Sequence, residues 1–305
     1  SNRDIKWTTC IENITTNSYP YNVDIDENGN VYAVGTFGFY VSNIYNSDGT
    51  KFIGYLPPLI DRASYIIKYD TNGMVLWHTY IKHVYPYYAD VNDTSYSIAC
   101  KNGSLYVQLQ TSEEPAAYNA NLYGDRQPET AAHINNNGSS PFIIKYDENG
   151  QYVWNVGCFG SNEGRCISID SNENIYFQMS TSNPYTAIYV KQSDGTIFYQ
   201  VFTTRGSVCK IDKYGMCILG FYIDGSDGIS TMVNDHNDNL ILGARWRTFY
   251  GYNKITFYEW NGSSIVNSGS EINIYDWGGS SFYAKYDSNG SFLRSEEHTS
   301  ELQSR

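Results

Sequence analysis

The hexad Lys-Tyr-Asp-x-Asn-Gly occurs three times in this chain, at Lys68–Gly73, Lys145–Gly150 and Lys285–Gly290. Each copy follows a short apolar run (Ile66-Ile67, Ile143-Ile144, Tyr283-Ala284), and four residues past the first two glycines stand Trp77 and Trp154. Trp7 sits where the pattern would place a tryptophan one repeat earlier. Recurrence at long, roughly regular spacing predicts tandem units that stack to bury a continuous core. Trp7, Trp77 and Trp154, with Tyr69, Tyr146 and Tyr286, are the expected structural anchors of those units.

A second motif alternates with the first. The stretch Val23–Gly35 is echoed at Ser97–Tyr106 and at Ser168–Tyr176. Both motifs read as strand, Asn/Gly turn, strand, because Gly supplies the positive φ that tight hairpin turns need. The strands carry Ile, Val, Tyr and Phe on both faces, which predicts sheets covered on both sides. Ten hairpins follow, near residues 21–36, 64–80, 95–109, 141–157, 165–179, 186–201, 207–222, 229–246, 254–267 and 281–292. At two hairpins per four-stranded antiparallel sheet, this is about five sheets. The register is clear to residue 180; beyond it Val208–Leu219 and Met232–Leu242 fit either motif loosely.

Tandem four-stranded antiparallel sheets with aromatic anchors predict an all-β fold of the β-propeller type. The alternation of V-D-x-x-G-N-V-Y-x-x-G with F-x-x-K-Y-D-x-x-G-x-x-x-W resembles the SBBP family of seven-bladed β-propeller repeats, best over residues 21–180. That resemblance implies propeller blades and implies no particular activity. The K-Y-D-x-N-G-x-x-x-W portion is also similar to the tryptophan-docking motif of quinoprotein propellers, which normally opens with Ala-x-Asp and carries Thr before the Gly. An open β-solenoid of hairpins is the alternative architecture. Propeller blades run about 40–50 residues, so the wider spacing here requires insertions, which are visible at 37–63, 81–94, 110–140 and 244–253.

Residues 294–304 resemble a translated sequencing adapter and interrupt the third repeat at Arg294, where a tryptophan is expected. Residues 294–305 are therefore set aside as a tail. Residues 1–293 read as one incomplete propeller domain, a fragment open at both ends. The formal net charge of −12, without a basic run, disfavours nucleic acid as a partner. No apolar stretch is long enough to span a membrane. Six cysteines are present, Cys10, Cys100, Cys158, Cys166, Cys209 and Cys217. None forms a C-x-x-C pair, so a zinc or thioredoxin-type site lacks support. Cys209 and Cys217 flank one hairpin turn and Cys158 and Cys166 one inter-repeat connection, so either pair is placed to bridge; small buried apolar side chains are the commoner role. Sequons at Asn13, Asn92, Asn102, Asn137, Asn261 and Asn289 are compatible with secretion and favour an extracellular or surface location.

Little in the chain speaks for catalysis. No H-E-x-x-H, G-x-S-x-G or P-loop pattern occurs, and no catalytic residue, metal or cofactor is assigned. His78 and His83 read as exposed residues of one connection, with Asp90 further along. Asp24–Gly29 begins like a calcium loop, but its twelfth position is Gly35, where a bidentate Glu is required. It reads as turn chemistry, as do Asp170–Asn174 and Asp235–Asn239. Ser47-Asp48-Gly49-Thr50 and Ser193-Asp194-Gly195-Thr196 resemble the Asp-box of sialidase propellers only weakly, since their residues are contiguous. Lys68, Lys145 and Lys285 recur at one strand position, where local pairing with Asp70, Asp147 or Asp287 is expected.

Strand direction supplies the functional expectation. In a four-stranded antiparallel sheet the one–two and three–four turns emerge at one end, and the remaining connections at the other. The first set is the tight Asn/Gly turn; the second holds every long insertion. Their aromatics make Tyr40, Tyr45, Tyr87, Tyr88, Tyr118, Tyr123, Trp246 and Tyr250 the candidate ligand-binding face, with Phe39 and Phe249 beside them. Tyr offers stacking surface and a hydroxyl at low entropy cost, which suits a protein or glycan ligand. The expectation is a non-catalytic binding or scaffold propeller. Its alternatives are a propeller enzyme (lyase, glycosidase or quinoprotein-like) and a structural surface or virion component.

Overall fold

A computed structural model describes residues 5–13, 19–37, 42–52, 63–82, 97–111, 116–120, 130–133, 140–159, 164, 166–180, 188–200, 206–247, 254–273 and 279–297. They form antiparallel strands joined by turns, with no helix among the described residues. The chain divides into two compact units, residues 1–139 with 143–155, and residues 140–142 with 156–305.

The first unit opens with β1 (Ile11–Asn13), β2 (Tyr19–Ile25), β3 (Val31–Phe37), β4 (Ser42–Tyr45), β5 (Lys51–Phe52), β6 (Ala63–Tyr69) and β7 (Val75–Lys82). After them come β8 (Ser97–Lys101), β9 (Ser104–Thr111), β10 (Ala116–Tyr118), β11 (Thr130–His133) and β12 (Ser140–Tyr146), then β13 (Tyr152–Phe159), which crosses into the second unit. Strands β2, β3, β6 and β7 make an antiparallel meander, and β8, β9, β12 and β13 make another. The chain between β3 and β6 does not join its own meander: its hairpin β4–β5 pairs with β1. In the same way the hairpin β10–β11, between β9 and β12, adds to the outer edge of β7.

The second unit contains β14 (Ile167–Ile169), β15 (Ile175–Met179), β16 (Ile188–Lys191), β17 (Ile197–Gln200), β18 (Gly206–Ile211) and β19 (Cys217–Asp224). It continues with β20 (Gly228–Asn234), β21 (Leu240–Arg247), β22 (Lys254–Trp260), β23 (Ile265–Asn273), β24 (Gly279–Tyr286) and β25 (Phe292–Glu297). Strands β14-β15-β18-β19 and β20-β21-β24-β25 are its meanders. The hairpin β16–β17 pairs with Gly157–Phe159 of β13, and β22–β23 pairs with the end of β19. Each added hairpin covers a strand edge that would otherwise present unpaired N–H and C=O groups.

Among the described residues the strands form five antiparallel sheets, whose make-up differs from the expected four-stranded one. One is four-stranded, three are six-stranded and one has three strands. The difference arises because the insertions at 37–63 and 110–140 are themselves partly strand and extend a neighbouring sheet. Beyond residue 180, β16–β17 and β22–β23 are such edge hairpins, while the loosely matching Val208–Leu219 and Met232–Leu242 fall on the meander strands β18–β19 and β20–β21. Strand β25 takes in Arg294 to Glu297, paired with Lys285 to Phe282. Those residues belong to the stretch assigned to the tail, and backbone pairing of this kind accepts any non-proline residue.

Burial on both faces follows from the strand composition. Tyr65, Ile66, Ile67, Lys68 and Tyr69 are consecutive and all buried on β6. In the first unit Ile44, Tyr65, Ile67, Tyr69, Val75 and Tyr80 form a core cluster, with Trp7, Phe52 and Tyr118 packed on it. In the second, Phe221, Phe257, Phe282 and Tyr286 are central to the larger cluster. Fully burying one such side chain stabilises by about 1.5–3 kcal/mol.

Glycine is required where the tryptophans dock. Gly150 has φ +72°, and a Cβ there would lie 2.3 Å from the Ala120 Cβ and 2.9 Å from the Trp77 ring. Gly49 has a similar φ of +81° with open space around it. Gly150→Ala is expected to cost about 2 kcal/mol and Gly49→Ala about half that, the gap measuring the packing term. Urea denaturation of both variants checks it; equal losses would mean that only the backbone conformation matters.

Candidate functional site

The most elaborate polar constellation lies at the tight turns, and in two copies it joins one meander to the turn of the next. It begins with an aspartate opening the first tight turn. The Asp170 carboxylate accepts the N–H groups of Asn172 and Asn174 and the Asn174 side-chain amide, at 2.8–2.9 Å. Asp26 and Asp235 hold their turns in the same manner. Turn chemistry thus occupies the oxygens that a calcium loop would need. Among the described residues no group of three or more His, Cys, Asp or Glu is placed to hold a metal.

A lysine from the third strand completes the constellation. The Lys210 ammonium lies 3.0 Å from Asp170, donates to the Ser288 carbonyl at 2.9 Å and sits 4.7 Å from the Tyr176 ring centroid. Both charged side chains are buried. Lys68 repeats the arrangement less tightly, 4.0 Å from Asp26, 3.1 Å from the Glu148 carbonyl and 5.0 Å from the Tyr32 ring. Lys285 pairs with Asp235 at 2.6 Å, and Lys145 lies over the Tyr106 ring at 5.1 Å.

These partners correct the expected local pairing of Lys68 with Asp70 and of Lys285 with Asp287. Asp70 and Asp287 spend their carboxylates on the amides of their own turns, Asn72 with Met74 and Asn289 with Ser291. The lysine turns instead to the aspartate of the hairpin beside it. Burial works to raise the Asp26 pKa, but the Asn30 side chain, the N–H groups of Asn30 and Asn28, and Lys68 outweigh it and hold the carboxyl below its ordinary range. The Lys285 hydrogen bond, with that of Asn239, holds Asp235 well below the usual carboxylate range. Burial pushes the Tyr32 hydroxyl far up, with Cys100 and Asp26 adding to it, so it remains a neutral donor to Asp26.

The tryptophan anchors meet the same turns. The Trp7 indole N–H donates to the Thr71 carbonyl at 3.1 Å, and that of Trp77 to the Glu148 carbonyl at 3.0 Å. Trp154 lies against Tyr106, ring centroids 6.0 Å apart. Tyr69 is buried beside Trp7, and burial pushes its hydroxyl up to about 12. Tyr146 is fully buried, and Tyr286 stacks on Phe221 at 4.0 Å. Leu219 takes the contact on Gly290 that Trp77 makes on Gly150. The edge hairpins then clip onto these turns. Ser47, Ala120, Ser193 and Trp260 donate their N–H groups to the carbonyls of Gly73, Gly150, Gly215 and Gly290. Side-chain oxygens of Asn46, Asn119, Gln192 and Glu259 accept the N–H two residues past each glycine.

Of the candidate ligand-binding face, two side chains are described. Tyr45 lies on β4, its hydroxyl donating to Glu12 at 2.8 Å. Tyr118 lies on β10, half-buried and stacked on Tyr80 at 4.3 Å between centroids. Both are strand residues of edge hairpins, where free loops were expected. Trp246 pairs through its backbone with Ser280. Tyr40, Tyr87, Tyr88, Tyr123 and Tyr250 lie outside the described residues, as do Phe39, Phe249, His83 and Asp90.

His78 is a correction. It stands on β7 opposite Ile67, fully buried, with the Phe52 ring edge-on at 5.7 Å. Among the described residues neither ring nitrogen has a hydrogen-bond partner, and burial lowers its pKa to about 4. It follows Trp77 directly, so the strand that carries the tryptophan inward carries the histidine to the opposite, also covered, face. Lys210, the best-buried lysine of the set, was missed by the sequence reading because its copy reads Lys-Ile-Asp-Lys-Tyr-Gly; the Asp and Gly spacing was the available signal. Compared with known proteins, the chain matches no protein-family model and no curated protein.

Proposed function

We propose that this chain is a binding or scaffold module of the β-propeller kind, recognising a protein or glycan through the Tyr-rich segments that join its strands. One observation carries the reading: the recurring charged residues are consumed in holding the meanders together. Asp26, Lys68, Asp170 and Lys210 are buried in turn and ion-pair contacts, which suits a rigid platform better than acid–base chemistry. Trp7 and Trp77 docking on the following turns supports stacking of successive sheets as blades. The variable length lies in the connections at the strand ends away from those turns, where interaction surfaces of such scaffolds gather.

Tyr118 packs on Tyr80, so its loss would report on stability. The test therefore uses Tyr87, Tyr88 and Tyr123. The triple alanine variant is expected to lose about tenfold or more in affinity for whatever an immobilised glycan panel or a surface-protein extract retains, with an unchanged thermal midpoint. Retention equal to that of the parent chain would overturn the proposed face. A folded parent chain that retains nothing would overturn the recognition role itself.

A further inference from the structure

The geometry points to Cys209 and Cys217 as a reversible disulfide site, closed by exchange with a small-molecule disulfide. Cys209 lies on β18 opposite Gly220, and Cys217 on β19 opposite Ile211. Residues two apart on a strand share a face, so Cys217, across from Ile211, shares the face of Cys209. A register shift between Lys210 and Ile211 accompanies this approach. The two Sγ atoms stand 4.0 Å apart with both thiols free. Rotation of the side chains suffices to begin closing that gap toward the bonded distance of about 2.05 Å.

The exposure of the two thiols sets the order of events. Cys209 is fully buried while Cys217 is half-buried, so the reagent reaches Cys217 first. Its thiolate attacks one sulfur of the reagent RSSR, breaking that S–S bond, and RS⁻ departs to take up the proton Cys217 gave up. The Cys209 thiol loses its proton and attacks the Cys217 sulfur of the mixed disulfide. A second RS⁻ leaves and carries that proton away. Two cysteine thiols are oxidised, and one RSSR is reduced to two RSH. Burial pushes the Cys209 thiol well up, which makes the second step the slow one. Cys158, buried on β13, interacts electrostatically with both and is the rival third thiol. Cys166 has the Gln178 side chain as its neighbour, 3.7 Å away.

The sequence supplies a clean assay. Lys210 and Lys213 lie between the two cysteines, so trypsin leaves peptides 206–210 and 214–245 joined only through a bridge. The folded chain is incubated with oxidised glutathione at mildly alkaline pH, alkylated and digested without reduction. The joined pair is expected, with the Cys209 and Cys217 thiols both lost and both recovered on reduction. In Cys209→Ser, Cys217 is expected to stop as the glutathione adduct, with the unfolding midpoint showing that the variant is folded. Peptide 146–165, which carries Cys158, joined to either partner would overturn the assignment. So would a stable glutathione adduct on Cys217 of the parent chain, or alkylation of both cysteines while exposed Cys10 is oxidised.

Discussion

Lys210→Met is expected to lower the unfolding free energy by about 3–5 kcal/mol, because it strands a buried carboxylate without its counter-charge. The Asp170 oxygens keep their turn hydrogen bonds, but the cation 3.0 Å away is gone and the Ser288 carbonyl loses its donor. Asp170→Asn keeps an acceptor for the turn and strands the ammonium instead. Combining the two removes both charges, so the double variant is expected to lose about 1–3 kcal/mol less than the sum of the singles. Lys254 and Glu271 form an exposed pair at 2.8 Å, and Lys254→Met should leave the midpoint unchanged, since solvent screens such pairs. Guanidinium denaturation of the set checks the contrast. A Lys210→Met loss no larger than that of Lys254→Met would mean that the buried pair contributes only neutral packing.

That pair also marks what the sequence could and could not disclose. Turns were legible because their chemistry is local: Asp, Asn and Gly within five residues satisfy the amides of one bend. Strand existence was legible for the same reason, from runs such as Tyr65–Tyr69 with apolar side chains on both faces. Pairing partners were not. Lys68 stands two residues from Asp70 in the chain yet pairs with Asp26, a choice made by strand adjacency in the sheet. Edge hairpins were half legible; β16–β17 and β22–β23 read correctly as hairpins, but nothing in their residues says that they cap a different meander. Of the candidate face, Tyr118 is committed to Tyr80, whereas loop composition alone suggested exposure. Burial of His78 was hidden by its position immediately after the motif tryptophan, where alternation predicts the opposite face but cannot tell whether that face is covered.

His78 should make stability fall on acidification. Its imidazole is enclosed on β7 with no partner for either nitrogen among the described residues, and burial holds its pKa at about 4 against an ordinary value of 6.5. As pH drops below 6.5 the unfolded chain takes up a proton that the folded chain refuses, so unfolding is favoured progressively until the folded pKa is reached. Each unit of displacement is worth about 1.4 kcal/mol, and the interval of pH from 6.5 to 4 therefore removes about 3 kcal/mol. Above 6.5 the histidine contributes no pH dependence. His78→Leu, close in volume and without polar atoms, is expected to match or exceed the parent at neutral pH, since it deletes two unsatisfied groups. Its advantage should then widen by about 3 kcal/mol at pH 4. Carboxylates and the other histidines titrate in both proteins and cancel in the difference, so denaturation curves of the two at matched pH isolate this residue. Parallel stability profiles from pH 7 to pH 4 would show that the imidazole is not held neutral by its burial.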